Sequence, residues 1–236
     1  MIESTLVTRL LLFDIDGTLM VSRGSGLRAM RAAMQQVFDV ETPHVPVRPH
    51  GKTDPILFEE LASAYRLPFE RLWEVMDDLQ RIYATHLEIG LRQDAIIEVK
   101  PGVVAVLEAL RERPDVSLGL VTGNLQRTAW LKLEAADLAS YFVTGGFGSD
   151  ARDREGLVEH ALRRFEAQGV VCERQATWVI GDTPDDVRSG RSHGTCTLAV
   201  ATGSHDLQEL SKSQPDLVLQ DFSESGRVVD VLCGVA

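Results

Sequence analysis

Two aspartates, Asp14 and Asp16, directly follow a short apolar run, Leu10–Phe13, and are themselves followed by Gly17 and Thr18. An apolar run of this length is typical of a strand buried on both faces. Side chains alternate along a strand, but at its carboxyl end the chain can turn both acids toward one crevice. Two carboxylates held so close repel each other unless a cation or a shared proton relieves the charge. The pattern therefore favours a metal-bound nucleophile with a neighbouring acid or base over its alternative, an aspartate-rich turn that caps a strand.

A second polar group, made of Thr122, Gly123 and Asn124, follows the apolar run 117–121. A hydroxyl group and backbone N–H groups at the start of a helix are suited to holding an oxyanion. An ordinary helix N-cap uses the same residue types. Taken alone, this segment leaves both interpretations open.

A third polar group, Gly181–Asp186, follows the apolar run 177–180 and contains three aspartates. Thr183 and Pro184 match the start of a helix, and capping accounts for one acid at most. If Asp182 lies in the crevice beside Asp14, it supplies a second hard oxygen ligand. Carboxylates, a carbonyl, water and a substrate phosphate are the ligands that Mg²⁺ prefers.

A run of mixed charge, residues 149–155, contains two arginines, Arg152 and Arg154. A basic residue that opens the following helix can neutralise a phosphate and a nucleophilic aspartate. Runs of both signs are also common on solvated faces. The composition of the run alone favours a solvated face. Its place after a predicted strand makes a phosphate-neutralising arginine about equally favoured.

The elements that must position these residues alternate between short apolar strands and amphipathic helices from residue 103 onward. Such alternation predicts a parallel sheet covered on both faces, an α/β doubly wound, Rossmann-like fold whose ligands bind at the carboxyl ends of the strands. The predicted strands comprise Leu10–Phe13, Ser117–Thr122, Tyr141–Val143, Thr177–Ile180, Thr195–Val200 and Leu217–Leu219. The helices between them are predicted at 103–111, 125–136, 156–167, 185–192, 207–210 and 225–232.

The segment between the first strand and residue 100 is predicted to be helical without a convincing strand. Helical spacing covers residues 24–38. A proline-rich loop, 42–49, then leads into a second helix with Asp54 as its N-cap and Pro55 at the first helical position. A third helical stretch runs from Pro68 to Gly90.

Composition limits the classes of partner. The chain has 236 residues, 24 Lys and Arg against 35 Asp and Glu, and a net charge of -11. This balance argues against nucleic acid or an anionic membrane as the main partner. The three cysteines, Cys172, Cys196 and Cys233, form neither a zinc pattern nor a disulfide framework. We also expect no signal segment and no membrane span, which makes a cytoplasmic setting the default.

In combination these segments resemble the haloacid dehalogenase superfamily, and within it the phosphoglycolate phosphatase-like branch with an α-helical cap. The first motif of the family matches Asp14-Ile15-Asp16-Gly17-Thr18, the second matches Thr122, and the fourth matches Gly181–Asp186. The resemblance implies a Rossmann-like core from residues 1–19 and 100–236, with a cap inserted at residues 20–99. The segment Gly51–Asp54 is similar to a substrate-facing part of such caps.

The resemblance also implies a reaction and a role for each residue. Asp14 would be the nucleophile of a phosphatase that acts on a small phosphorylated metabolite through an aspartyl-phosphate, and Asp16 the acid and base. The implied Mg²⁺ ligands are Asp14, Asp16 (through its carbonyl), Asp182 and, nearby, Asp186. The implied substrate contacts are Thr122, Gly123, Asn124 and, from the cap, Lys52, with Arg23 as a second candidate on the cap side.

The chain departs from the family in its third motif, which is usually a lysine followed by a proline. No such pair lies between Thr122 and Asp182. Arg154 is the best substitute and Arg152 the next. Because arginine presents a planar fork where lysine is a point charge, the exchange is not neutral.

Other functions remain open at this stage. A sugar phosphomutase would keep every motif of the core. A 2-haloacid dehalogenase or a phosphonoacetaldehyde hydrolase would lack the acid at position 16, although Lys52 keeps the latter under consideration. A receiver module would be about half as long as this chain. A catalytically idle scaffold would have little reason to keep four polar residues together, namely Asp14, Asp16, Thr122 and Asp182. The sequence fixes neither the substrate nor the choice between monomer and homodimer.

Overall fold

The computed structural model describes residues 9–41, 45–93 and 96–234. In chain order the strands within these ranges are β1 (Arg9–Phe13), β2 (Met20–Val21), β3 (Glu98–Val99), β4 (Val116–Thr122), β5 (Gly145–Phe147), β6 (Thr177–Gly181), β7 (Cys196–Val200) and β8 (Leu217–Leu219). The α-helices are α1 (Ser25–Phe38), α2 (Asp54–Ala64), α3 (Phe69–Glu74), α4 (Met76–Gln93), α5 (Val103–Arg111), α6 (Gln126–Ala135), α7 (Arg154–Ala167), α8 (Pro184–Ser192), α9 (Leu207–Lys212) and α10 (Ser225–Leu232).

A six-stranded parallel sheet in the order β5-β4-β1-β6-β7-β8 forms the centre of the molecule. Successive side chains of β1 enter different cores, Leu10 and Leu12 on one face and Leu11 and Phe13 on the other. Helices cover both faces, which is why the strand is continuously apolar. The predicted doubly wound α/β fold is confirmed.

The order of the strands determines where polar side chains meet. After β1 the chain goes to β4 on one side and later to β6 on the other, so both flank the central strand. This change of direction leaves a crevice at the carboxyl ends of β1, β4 and β6, the usual ligand position in such sheets. Each of the three polar segments identified in the sequence begins at one of these strand ends.

The predicted strand at residues 141–143 is wrong. Ala139–Tyr141 form a 3₁₀ turn, and the edge strand is Gly145–Phe147. Its first two residues are glycines because neighbouring backbone approaches closely: a Cβ at Gly145 would overlap the Leu120 carbonyl, and one at Gly146 the Leu157 carbonyl. Strand propensity, which penalises glycine, points to the wrong segment here.

Helices α1–α4 form a helical insertion between β2 and β3, with a hydrophobic cluster that includes Met34, Phe58 and Tyr83 and extends to Leu125 at the start of α6. The expectation of no strand in residues 20–99 is wrong, because Met20 pairs with Val99 and Val21 with Glu98 in an antiparallel ladder. This short ladder joins the two ends of the insertion. Residues 42–44 of the proline-rich loop lie outside the described residues, and 45–49 form neither helix nor strand.

The start of α2 also differs from the prediction. Thr53 is the N-cap residue, Asp54 is the first residue of the helix, and Pro55 follows it. The Asp54 carboxylate instead accepts hydrogen bonds from α6, from the Leu125 N–H (2.9 Å) and the Thr128 hydroxyl (3.3 Å). Asp54 therefore connects the insertion to the sheet-bearing part of the molecule.

Among the described residues, none of the helices combines the length and the apolar character needed to cross a bilayer.

Candidate active site

The loop after β1 brings its two acids to the crevice. The Asp14 N–H donates to the Ile180 carbonyl (2.9 Å), which fixes the loop to β6. Gly17 has φ +91°, and a Cβ there would lie 2.6 Å from Asp182 Oδ2, so the turn requires glycine. The Thr202 hydroxyl donates to the Gly17 carbonyl (2.6 Å). The two acids thus lie in a loop that is held in place from two sides.

Three buried carboxylates meet at this point: oxygens of Asp14, Asp182 and Asp186 all lie within 4.8 Å of one another. Asp182 is fully buried, and the Thr18 hydroxyl donates to its Oδ1 (3.1 Å). Its Oδ2 has no hydrogen-bond partner among the described residues. Since buried polar atoms are normally paired, this unpaired oxygen and its two neighbouring carboxylates form a donor set that fits a hard divalent cation.

Burial and mutual repulsion act on these acids together. Burial raises the pKa of Asp14, with the charges of Asp186 and Asp16 acting in the same direction and Arg154 opposing them. Burial also raises the pKa of Asp182, and Asp14 and Asp186 add to the rise. The charged forms are thus unfavourable until positive charge is supplied.

Arg154 supplies one such charge. It is the first residue of α7, whose N-cap Asp153 accepts from the Gly156 N–H. The Arg154 side chain is 7% exposed and lies 3.3 Å from Asp14 Oδ1, and it also donates to Asp186. Its Nε has no partner among the described residues. Burial alone would lower its pKa, but Asp14 and Asp186 raise it, so the guanidinium stays charged.

Arg152, the other candidate for the third motif, lies outside the crevice. Its side chain is 62% exposed, donates to Glu59 on α2 (2.7 Å) and lies over the Trp73 ring on α3. Of the two arginines, the structure brings only Arg154 to the acidic cluster.

Asp186 has a structural role as well. Thr183 and Asp186 form a capping box at the start of α8, in which the Thr183 N–H and hydroxyl donate to Asp186 Oδ2 (3.0 and 2.7 Å). The capping predicted from Thr183 and Pro184 is therefore present. Asp185 lies apart from the cluster and pairs with Arg188 on the surface of α8.

The segment after β4 forms a chain of hydrogen bonds that ends on Asp16. The Asn124 amide donates to Thr122 Oγ1 and to Asp16 Oδ2, and both hydrogen bonds are 2.7 Å long. The Asn124 N–H is directed at Thr122 Oγ1 (3.3 Å). The Thr122 hydroxyl proton is therefore available to a ligand, whereas the Asn124 amide serves the acid at position 16.

Lys132 was not identified from the sequence. Its ammonium donates to Asp16 Oδ2 and to Asn124 Oδ1, and both hydrogen bonds are 2.6 Å long. The Lys132 side chain is 6% exposed. A signal was present: position 132 shares the buried face of α6 with Thr128, Ala129 and Leu133, and a lysine there needs an anionic partner.

A cavity of about 470 Å³ extends from these residues to the helical insertion. Lys52 lines it, although its ammonium is paired with Glu60 (2.6 Å), and Arg23 lines it while pairing with Glu98 (2.9 Å). A Cβ at Gly123 would overlap the Lys52 carbonyl, so the insertion lies directly on the segment after β4. A volume of this size suits a small metabolite.

Known proteins support the same architecture. The family model for haloacid dehalogenase-like hydrolases matches residues 8–194. Pyrophosphatase PpaX of Oceanobacillus iheyensis is 25% identical over 222 residues, which are 92% of this chain and 94% of the relative. The probable phosphatase IndB of Dickeya dadantii is 28% identical over 221 residues, 91% and 90% of the two chains.

A solved structure agrees with the fold. A structure described as "a predicted phosphoglycolate phosphatase" from Haemophilus somnus superimposes with a TM-score of 0.68 at 18% identity, over 97% of this chain and 98% of its own. The family match spans most of the chain and every polar segment described above. The chain belongs to the haloacid dehalogenase-like hydrolases.

Proposed function

We propose that this chain is a cytoplasmic, Mg²⁺-dependent phosphatase that hydrolyses a small phosphorylated metabolite through an aspartyl-phosphate on Asp14. The observation that carries the proposal is the meeting of a three-carboxylate cluster with the buried Arg154 guanidinium and the Thr122 hydroxyl at one end of the cavity. A cation site beside an anion site is the arrangement that phosphoryl transfer needs.

The residues that would hold Mg²⁺ are Asp14, Asp182 and the backbone carbonyl of Asp16. Both oxygens of Asp186 already accept hydrogen bonds, one from Arg154 and one from Thr183, so Asp186 contributes by holding Arg154 and adding negative charge. Bound Mg²⁺ would neutralise charge on the nucleophile and the phosphoryl group.

The chain's own residues then carry two proton-coupled steps. In the first, an Asp14 oxygen forms a bond to phosphorus, the bond between phosphorus and the leaving oxygen breaks, and Asp16 donates a proton to that oxygen. In the second, water forms a bond to phosphorus while Asp16 accepts its proton, and the bond to Asp14 breaks, which releases inorganic phosphate. Thr122, the Gly123 N–H and Arg154 would stabilise the equatorial oxygens.

The helical insertion would act as a cap that excludes water and selects the leaving group. Its contacts with the core support this role: the Asp54 N–H donates to the Gly123 carbonyl (2.7 Å), and the Thr53 hydroxyl donates to the Arg152 carbonyl (2.8 Å). Lys52 is the cap-side candidate for contact with the leaving group. We take residues 20–99 as the cap and the remainder as the core.

A panel of phosphorylated metabolites with Mg²⁺ tests the proposal. Phosphoglycolate follows from the resemblance, and pyrophosphate from the name of a relative. We expect release of inorganic phosphate from at least one small member of the panel, and no release after EDTA treatment. Equal release with and without EDTA would contradict the assignment.

A sugar phosphomutase of the same fold is the second candidate, because it uses the same core residues and differs only in the acceptor that Asp16 would deprotonate, a sugar hydroxyl instead of water. Incubation with sugar phosphates separates the two functions. A phosphatase gives free phosphate in proportion to the sugar formed, whereas a mutase gives an isomeric sugar phosphate and no net phosphate.

Stabilisation by Mg²⁺ should grow with pH. Because the folded protein raises the pKa values of Asp14 and Asp182, it holds their protons more tightly than the unfolded chain does. The free energy of unfolding of the metal-free protein should therefore fall as pH rises above the ordinary aspartate value, while Mg²⁺ competes with fewer protons. At about pH 8, Mg²⁺ at about 100 times its Kd contributes about 2.7 kcal/mol, or about 5 °C or more in Tm for a chain of this size.

Thermal unfolding with Mg²⁺ and with EDTA, from about pH 5 to about pH 8, measures this difference. Asp182→Asn removes a charge but little volume and should abolish the Mg²⁺-induced shift in Tm. A shift that shrinks with rising pH, or one that D182N retains, would contradict the assignment.

A further inference from the structure

The geometry points to Lys132 as a positioning residue that fixes the Asp16 carboxylate for proton transfer and does so only when the helical insertion is closed. The inference rests on the proposed function, since it assigns a purpose to a contact with the proposed acid and base. It concerns a lysine on α6, outside the motifs that carry the family resemblance.

The contacts of Lys132 distinguish the two oxygens of the Asp16 carboxylate: Oδ2 is occupied by hydrogen bonds, and Oδ1 is available for proton transfer. Asp16 Oδ2 accepts two hydrogen bonds, from the Lys132 ammonium (2.6 Å) and the Asn124 amide (2.7 Å). Lys132 also donates to Asn124 Oδ1 (2.6 Å), so the three side chains form a closed triangle. With Oδ2 occupied in this way, Oδ1 remains to exchange a proton with the leaving oxygen and with water.

Asp16 needs such support because its surroundings do not confine it. Its side chain is 42% exposed to the cavity, in contrast to the buried Asp14. A general acid must lie within hydrogen-bond distance of the atom it protonates, and a misplacement of about 1 Å can lower a rate about a hundredfold. Two donors on one oxygen fix both the rotamer and the direction of the second oxygen.

The helical insertion encloses the Lys132 ammonium. A Cβ at Gly26, on α1, would lie 3.5 Å from Lys132 Nζ and 3.5 Å from the Tyr83 hydroxyl on α4. Asp54 on α2 binds the start of the same helix that carries Lys132, and the Lys132 charge opposes the rise in the Asp54 pKa that burial causes. Three helices of the insertion therefore surround the lysine.

This enclosure links closure to the chemistry. With the insertion closed, water is excluded from the ammonium, and its hydrogen bond to Asp16 acts at low effective dielectric, where it is strong. With the insertion open, water would solvate Lys132 and compete for Asp16. The acid would then be fixed only after the substrate is enclosed.

The leaving group provides a readout that a structural role would not change. A 4-nitrophenolate leaves without much help from an acid, whereas phenolate needs a proton. In Lys132→Met, which removes the charge and keeps most of the volume, we expect kcat/KM for phenyl phosphate to fall about ten- to hundredfold and that for 4-nitrophenyl phosphate to fall less than about threefold. We expect kcat to fall for both substrates, because water activation also uses Asp16, so 4-nitrophenolate should appear in a burst.

Two further variants complete the test. Since Lys132 acts through Asp16, the double variant D16N/K132M should match D16N in kcat/KM for phenyl phosphate within about twofold. Should K132M fail to fold, Lys132→Gln, whose amide can still bond to Asn124, is expected to show the same selective loss. K132R, which keeps the charge, should retain more of the phenyl phosphate activity than either.

The outcomes separate this inference from the proposed function. Equal losses of kcat/KM for the two aryl phosphates, or additive losses in the double variant, would overturn the role of Lys132 and leave the phosphatase intact. Absence of Mg²⁺-dependent hydrolysis by the unaltered chain would instead refute the proposed function.

Discussion

Asp14→Asn is expected to abolish Mg²⁺-dependent hydrolysis of 4-nitrophenyl phosphate, lowering kcat by about 10⁴-fold or more. The amide is nearly the size of the carboxylate but cannot form a bond to phosphorus, and it removes one of the three acids of the cluster. Steady-state release of 4-nitrophenolate measures the loss.

The stability of the same variant distinguishes lost chemistry from lost folding. Because burial and neighbouring acids raise the pKa of Asp14, its charged form is unfavourable in the metal-free protein. We expect D14N to unfold in EDTA at the same Tm as the unaltered chain or a higher one. Asp78→Asn, on an exposed face of α4, removes the same charge and should leave kcat unchanged within about twofold. Turnover retained in D14N would exclude Asp14 as the nucleophile.

Arg154→Met should lower kcat/KM by about 10³-fold. The substitution removes the charge that lies 3.3 Å from Asp14 and binds Asp186, while the apolar side chain keeps much of the volume. The buried acids then lose their counter-charge, and the phosphoryl oxygens lose a donor. Arg154→Lys restores a point charge without the planar fork and is expected to recover part of the activity.

The matched control for this variant lies two residues away. Arg152→Met changes the same residue type in the same loop, but Arg152 contacts Glu59 and Trp73 on the surface. We expect its kcat/KM to stay within about threefold of the unaltered chain, in keeping with a largely exposed ion pair. A larger loss of kcat/KM in R152M than in R154M would show that Arg152, and not Arg154, takes the place of the third-motif lysine.

The sheet and the acidic loops could be predicted because their signals are local. The apolar run of β1 ends at Asp14, and the capping pattern at Thr183 and Pro184 marks the start of α8. Strand β5 could not be predicted in the same way. Gly145 and Gly146 are required because neighbouring backbone leaves no room for a side chain, and glycine has no preference for strands that would mark the segment.

The remaining differences arise from contacts between distant segments. Spacing alone could not distinguish Arg152 from Arg154, since the choice depends on Asp153 starting α7 and turning residue 154 inward. Asp54 has the residue type of an N-cap, but its carboxylate accepts hydrogen bonds from Leu125 and Thr128 at the start of α6, 71 and 74 residues further along the chain. The pattern of α6 places Lys132 on a buried face, but it does not show that the partner of this lysine is Asp16, 116 residues away in the sequence.

The most direct test of the central claim is to identify the phosphorylated residue during turnover. A reaction stopped within its steady state and reduced with sodium borohydride converts an aspartyl-phosphate into homoserine, which peptide mass spectrometry can locate. We expect homoserine at position 14, only with Mg²⁺ and substrate present, and none in D14N. Homoserine at another aspartate, or none at any position during active turnover, would contradict it.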